Sequence, residues 1–244
     1  GFGLLTRLIL AGRQIRHVLA HRAQVPAQFA DRISLEAHQK AADYTCAKTR
    51  LTQLDALWDS AILLGLTLGG GIDALARLWA GWLADPLWQG VAVIASTLLL
   101  SSALSLPLSL YATFGVEAHF GFNRSTPALY LADLAKSLAL SALLGLPVLA
   151  LVLWLLAALG DQAWLAVWSV WVGLSLLLMW LFPTVIAPLF NRFQPLADQD
   201  LKTRIEGLLA RCGFASSGVF VMDGSRRSSH GNAYFTGFGR AKRI

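Results

Sequence analysis

LAKSLALSALLGLPVLALVLWLLAAL, residues 134–159, carries a single charge, Lys136, close to its start. About 20 mainly apolar residues are enough for a helix to cross a bilayer, so this stretch reads as a membrane span and sets the class of the fold. Working outward, residues 164–185 repeat the pattern after a tight Gly160-Asp161-Gln162 connection. Residues 87–110 and 59–82 repeat it upstream, joined at Asp85-Pro86. Residues 2–12 are apolar but too short to cross, and read as the tail of an earlier span. The expectation is an all-α polytopic membrane protein with four full transmembrane helices plus the tail of a first one.

Composition agrees. Apolar residues make up 56% of the chain and charged ones only 14%, which places it in the membrane class. The net charge of +6 is therefore read by location. Basic residues gather in residues 13–50, 111–133 and 191–243, while the two tight turns have no Lys or Arg. Alternating the spans puts the three basic blocks on one side of the bilayer, the cytoplasmic side by the positive-inside rule. A nucleic-acid partner is not expected, since that needs a basic stripe on a soluble domain. Cys46 and Cys212 lack CxxC spacing and read as reduced, structural thiols.

Polar features inside this frame have modest readings. His17 and His21 share the i, i+4 spacing of zinc-protease helices, but Val18 stands where such a motif needs its glutamate. No metal is assigned there. Ser34 is a helix N-cap with Glu36 in the first turn, opening a helix free of Gly and Pro to residue 64. Asp73 and Arg77 read as an i, i+4 pair near a span end. Residues 111–127 (YATFGVEAHFGFNRSTP) read as a structured polar loop, with Glu117 and His119 a weak metal pair for want of a third ligand.

Beyond Pro183 and Pro188 the chain leaves the bilayer through an amphipathic segment, 186–196. A soluble helix follows, capped by Asp198 or Asp200 and stopped at Gly213, and then a short apolar strand, residues 218–222. This is the opening of an α+β domain. Domain boundaries are placed at 1–190 and 191–244. In the last stretch, DGSRRSSHGNAYFTGFGRAKRI (223–244), Asn232 to Phe238 alternate small or polar with aromatic residues, the period of a strand with one covered face. Two readings fit: a surface hairpin strand, or an exposed edge that pairs with an extended peptide.

The chain resembles a known family, the membrane-embedded type I CAAX prenyl proteases, zinc endopeptidases that trim the end of prenylated proteins. The resemblance rests on Leu106-Pro107-Leu108-Ser109-Leu110-Tyr111 with Thr113-Phe114, Gly121-Phe122-Asn123 with Thr126, and Ile186-Ala187-Pro188-Leu189-Phe190 with Phe193 and Pro195-Leu196. It continues through Gly224-Ser225-Arg226-Arg227-Ser228-Ser229-His230, Asn232-Ala233-Tyr234-Phe235 and Lys242-Arg243-Ile244.

It implies a fold of membrane helices followed by the start of a cytosolic α+β metalloprotease domain. Zinc is the cofactor of the full-length protein. Two imidazoles of an HExxH helix and a later carboxylate would hold it, and the motif's glutamate would activate water. This sequence contains no HExxH. The expectation is therefore an N-terminal fragment ending before that helix, with no catalytic residue and no metal ligand of its own, binding no zinc and inactive alone.

Asn232, Ala233, Tyr234 and Phe235 match the family's edge strand and so carry the substrate-binding role. Asn232 would supply a side-chain contact, and Ala233 a position where a larger residue collides. His230 equally suits a solvent-facing turn and a place near the site. The implied partners are the lipid bilayer and an extended peptide or prenylated protein C-terminus. The implied location is a bacterial inner membrane with the C-terminal domain in the cytoplasm. A non-proteolytic helical scaffold or transporter with a cytosolic protein-binding strand is the competing expectation.

Overall fold

The Ser34 hydroxyl accepts the Ala37 N–H at 3.2 Å, and Glu36 sits in the first turn behind it. From this cap, α2 (Leu35–Leu66) runs 32 residues, roughly 48 Å at 1.5 Å per residue. The computed structural model describes residues 1–214, 216–231 and 233–235. They divide into two compact units, Gly1–Asn123 and Arg124–Ile244.

In the first unit, α1 (Phe2–Ala20) packs against α2. Arg22, just past α1, grips Asp43 of α2 through two bonds of 2.7 Å, and His38 bonds the His21 carbonyl at 3.0 Å. The expected continuous span over 59–82 is instead broken. Helix α2 stops at Leu66, and α3 (Gly71–Ala80) departs at 47°. The cause is local. Gly70 has φ +76°, a left-handed conformation that L side chains avoid, and a Cβ on Gly69 would stand 2.5 Å from the Gly65 carbonyl. Asp73 and Arg77 do form their ion pair on α3, exposed on the surface of this unit.

Helix α4 (Pro86–Leu110) begins at Asp85, whose carboxylate accepts the Leu87 N–H at 2.8 Å. Indole groups tie it to its neighbours: Trp58 donates to the Leu104 carbonyl at 2.9 Å and Trp79 to the Ser96 hydroxyl at 3.1 Å. The polar stretch after it was expected to be a loop throughout, but only residues 120–126 are irregular. The helix first continues through a wide π turn, Tyr111–Glu117.

In the second unit, α5 (Pro127–Leu159) starts at Thr126, which accepts the Leu129 N–H at 3.2 Å. It breaks at Gly160 and packs against α6 (Ala163–Leu181). A second π turn, Phe182–Ile186, and the short α7 (Ala187–Phe190) complete the run. Pro86–Glu117 and Pro127–Phe190 meet the length and hydropathy of membrane helices, and the bent α2–α3 pair makes a third candidate. The most apolar stretch of the second run has none of its residues buried within the structure. Trp164, Trp168 and Trp171 stand exposed along it. Apolar surface with no protein cover belongs against lipid.

Past α7, the segment expected to be an amphipathic exit contains a strand, β1 (Phe193–Pro195), antiparallel to β2 (Phe220–Met222) with Gln194 opposite Val221. The alternation that makes a strand is too short here to be visible in three residues. Between the two lies α8 (Gln199–Arg211), capped by Asp198, which accepts the Leu201 N–H at 3.0 Å.

The glycine break gives a prediction. Gly70→Val should cost roughly 1–2 kcal/mol, the price of a left-handed L residue, whereas Gly70→Asn should be far milder. Thermal melts in detergent check this; equal melting temperatures for the two variants would contradict it.

Candidate functional site

The second unit places a polar anchor directly upstream of the expected substrate segment. At the end of β2, Asp223 closes the ribbon. Its carboxylate accepts the Arg192 N–H at 2.7 Å, and its own N–H donates to the Arg192 carbonyl at 3.1 Å. Arg226 adds a 3.4 Å bond from the neighbouring turn. Burial pushes this carboxyl up, but the Arg192 N–H and the Arg226 and Arg227 charges together hold it below the usual aspartate range.

Arg227 then turns back toward the membrane helices. Its Nε and Nη2 donate to the two Asp133 oxygens of α5 at 2.7 and 3.0 Å. Nη1 donates to the Asn191 amide oxygen at 2.9 Å, and Nη2 also to the Phe190 carbonyl at 2.7 Å. This is a fork on a carboxylate with only about a fifth to a quarter of each side chain exposed. The Asp133 carboxylate holds the guanidinium still more firmly protonated than usual. The Arg227 carbonyl is held as well, by the Arg124 N–H at 3.0 Å and the Ser125 hydroxyl at 3.4 Å.

Downstream, His230 is exposed and its N–H donates to the Ser228 hydroxyl at 3.2 Å. Ala233, Tyr234 and Phe235 are exposed too. Tyr234 lies 3.7 Å from the Met222 sulfur, and the Phe235 ring meets Phe214 edge-on at 5.5 Å between centroids. Among the described residues no strand includes Ala233–Phe235, three of the seven positions where one was expected. Asn232 and residues 236–244 lie outside the described residues.

The first unit has its own polar cluster. Tyr44 donates to Glu117 Oε1 at 2.6 Å, and Lys48 reaches the Tyr44 oxygen at 3.0 Å and Glu117 at 3.4 Å. Phe120 and Phe122 pack edge-on against the Tyr44 ring. Glu117 thus serves this cluster rather than a pair with His119, whose ring packs on Phe120. The His17 and His21 rings lie 4.3 Å apart, tilted by 39°, with the His21 ring bonded to the His17 carbonyl. Among the described residues, no three of His, Cys, Asp and Glu gather as a metal site. These residues do not fit a zinc centre.

Sequence reasoning located the exposed segment but missed the anchor that holds it. One signal was available. Asp133 is the one carboxylate of α5, and a carboxylate near the head of a membrane helix needs a cation.

Comparison with known proteins places these features. Residues 14–192 match the family model of the CAAX prenyl protease N-terminal region, described as five membrane helices. The chain is 43% identical over 154 residues to the CAAX prenyl protease 1 homolog of Oryza sativa subsp. japonica, covering 63% of this chain and 36% of that protein. It is 32% identical over 247 residues to the human CAAX prenyl protease 1 homolog, covering 98% and 52%. It is also similar to the crystal structure of S. mikatae Ste24p, with a TM-score of 0.88 and 31% identity over 99% of this chain and 58% of that one. The chain spans between about a third and a half of the length of these two curated relatives.

Asp223 generates a pH prediction. A depressed carboxyl contributes stability that is present above its ordinary pKa and lost as pH falls through the lower, folded value. Asp223→Asn should lower the melting temperature at pH 7, and the gap to the wild type should close on acidification to below pH 4. A gap independent of pH would contradict it.

Proposed function

The chain belongs to the CAAX prenyl protease family, and from that membership we propose that it is the membrane and substrate-binding part of an integral-membrane zinc endopeptidase. The peptide bond cut lies near the C-terminus of CAAX proteins, prenylated or similar. Ala233–Phe235, with Asn232 beside them, receive the substrate as an extended chain. Backbone hydrogen bonds supply affinity there, and the aromatic side chains supply pockets. The observation that carries this reading is the exposed Ala233–Phe235 segment, which comes after a turn tied to α5 and to the membrane exit by Arg227.

Zinc would be held by residues other than the described ones. The three basic blocks support a cytoplasmic placement of the C-terminal region, and the membrane in this reading is a bacterial inner membrane. His230 is kept as a neighbour of the site, without an assigned step.

The test uses the full-length protein that contains this chain and a synthetic farnesylated CAAX peptide. Cleavage should stop on treatment with a zinc chelator and return with added zinc. Asn232→Ala should lower turnover about tenfold or more while zinc content stays at the wild-type level. Zinc-loaded protein that leaves the peptide intact would overturn the assignment and favour a scaffold.

A further inference from the structure

We propose that Arg227 is a positioning residue that sets the register in which the peptide lies along Ala233–Phe235. This rests on the reading of that segment as the substrate's binding line.

The guanidinium is committed elsewhere than to substrate. Of its five N–H groups, four point at Asp133, Asn191 and the Phe190 carbonyl. A side chain so occupied has almost no donor left for a peptide carboxylate, so its influence on the reaction runs through the backbone it holds. That backbone is fixed from the other side too, since the Arg227 carbonyl accepts from Arg124 and Ser125. Arg227 is therefore clamped at both side chain and carbonyl, to residues at the head of α5 and at the end of α7.

The backbone beyond Arg227 has little slack. The Ser228 N–H returns to the Gly224 carbonyl at 3.2 Å, and the His230 N–H to the Ser228 hydroxyl at 3.2 Å. The far end is steadied by Tyr234 against Met222 and by Phe235 against Phe214. The described residues before Asn232 are thus held by a charged clamp, and those after it by an aromatic rest. Asp133, Asn191 and Phe190 belong to the membrane helices and their exit, so the clamp refers the binding segment to the bilayer-embedded frame.

Register is what such a clamp controls. Along an extended pair, a slip of one residue turns every side chain to the opposite face. A segment free to shift by one residue would present a different bond for cleavage.

The experiment uses the full-length protein, a farnesylated CAAX peptide, and mass spectrometry of the products beside steady-state kinetics. Arg227→Lys keeps the charge and loses the fork. It should raise KM by about fivefold or more and add products cut at neighbouring bonds, with zinc content unchanged. Adding Asp133→Glu, which lengthens the carboxylate arm toward the shorter lysine, should restore a single product in part. Asn191→Ala, which removes one arm only, should give a smaller share of misplaced cuts.

Wild-type products and wild-type KM in folded Arg227→Lys would overturn the proposal. So would a variant that loses melting temperature and turnover together yet still cuts only the wild-type bond, since that marks a purely structural role. If Arg227→Lys fails to fold, the Asn191→Ala product set decides alone: misplaced cuts support the clamp, and a single wild-type product overturns it. Ala233→Ile in the same assay separates the two layers. Unchanged KM and products in that variant would show that the peptide does not lie on this segment, and the underlying reading then fails whatever Arg227 does.

Discussion

In the hydrocarbon of a bilayer an amide has nothing to bond but another amide, and this constraint governs most of the chain. It explains why helix runs unbroken through the apolar stretches of α4 and α6. It also explains why the breaks fall where glycine relieves them. Gly70 adopts a left-handed backbone conformation and lets α2 hand over to α3 at 47°, and Gly160 separates α5 from α6. The tryptophans on α6 need no protein partner because their partner is lipid.

Leaving the membrane reverses the problem. The ribbon of β1 and β2 is three residues long on each side and cannot bury enough apolar surface to hold itself. Charge takes over that task. Asp223 locks the ribbon to Arg192, and Arg227 locks the following turn to Asp133, Asn191 and Phe190. Because Arg227 and Asp133 are both largely shielded, removing either leaves the other short of partners, which is more damaging than losing an exposed pair. Membership of the CAAX prenyl protease family gives this arrangement its context: the exposed residues beyond the clamp are where the proposed substrate chain lies.

Much of this was legible in the sequence for reasons that can be named. Hydropathy over 87–110, 134–159 and 164–185 has one meaning at that length, and the caps at Ser34 and Asp198 formed as their residue types require. The bend within 59–82 was not foreseen because hydropathy counts residues and does not register the backbone angle that Gly70 permits. The strand at Phe193–Pro195 was hidden because its partner, Phe220–Met222, lies far along the chain. The clamp was hidden for the same reason. Arg227 and Asp133 are 94 positions apart, and nothing in the run Ser225-Arg226-Arg227-Ser228 says which arginine turns inward. Ala233–Phe235 were found as an exposed aromatic segment, yet alternation alone did not make them a strand.

The central claim is that this segment receives the substrate. A photo-crosslinking amino acid placed at Phe235 of the full-length protein, irradiated with a farnesylated CAAX peptide after zinc has been stripped, tests it most directly. The account predicts a crosslink to the peptide at Phe235 and none from the same group placed at the lipid-facing Trp171. Equal labelling at both positions, or none at Phe235 while the peptide still binds, would contradict it.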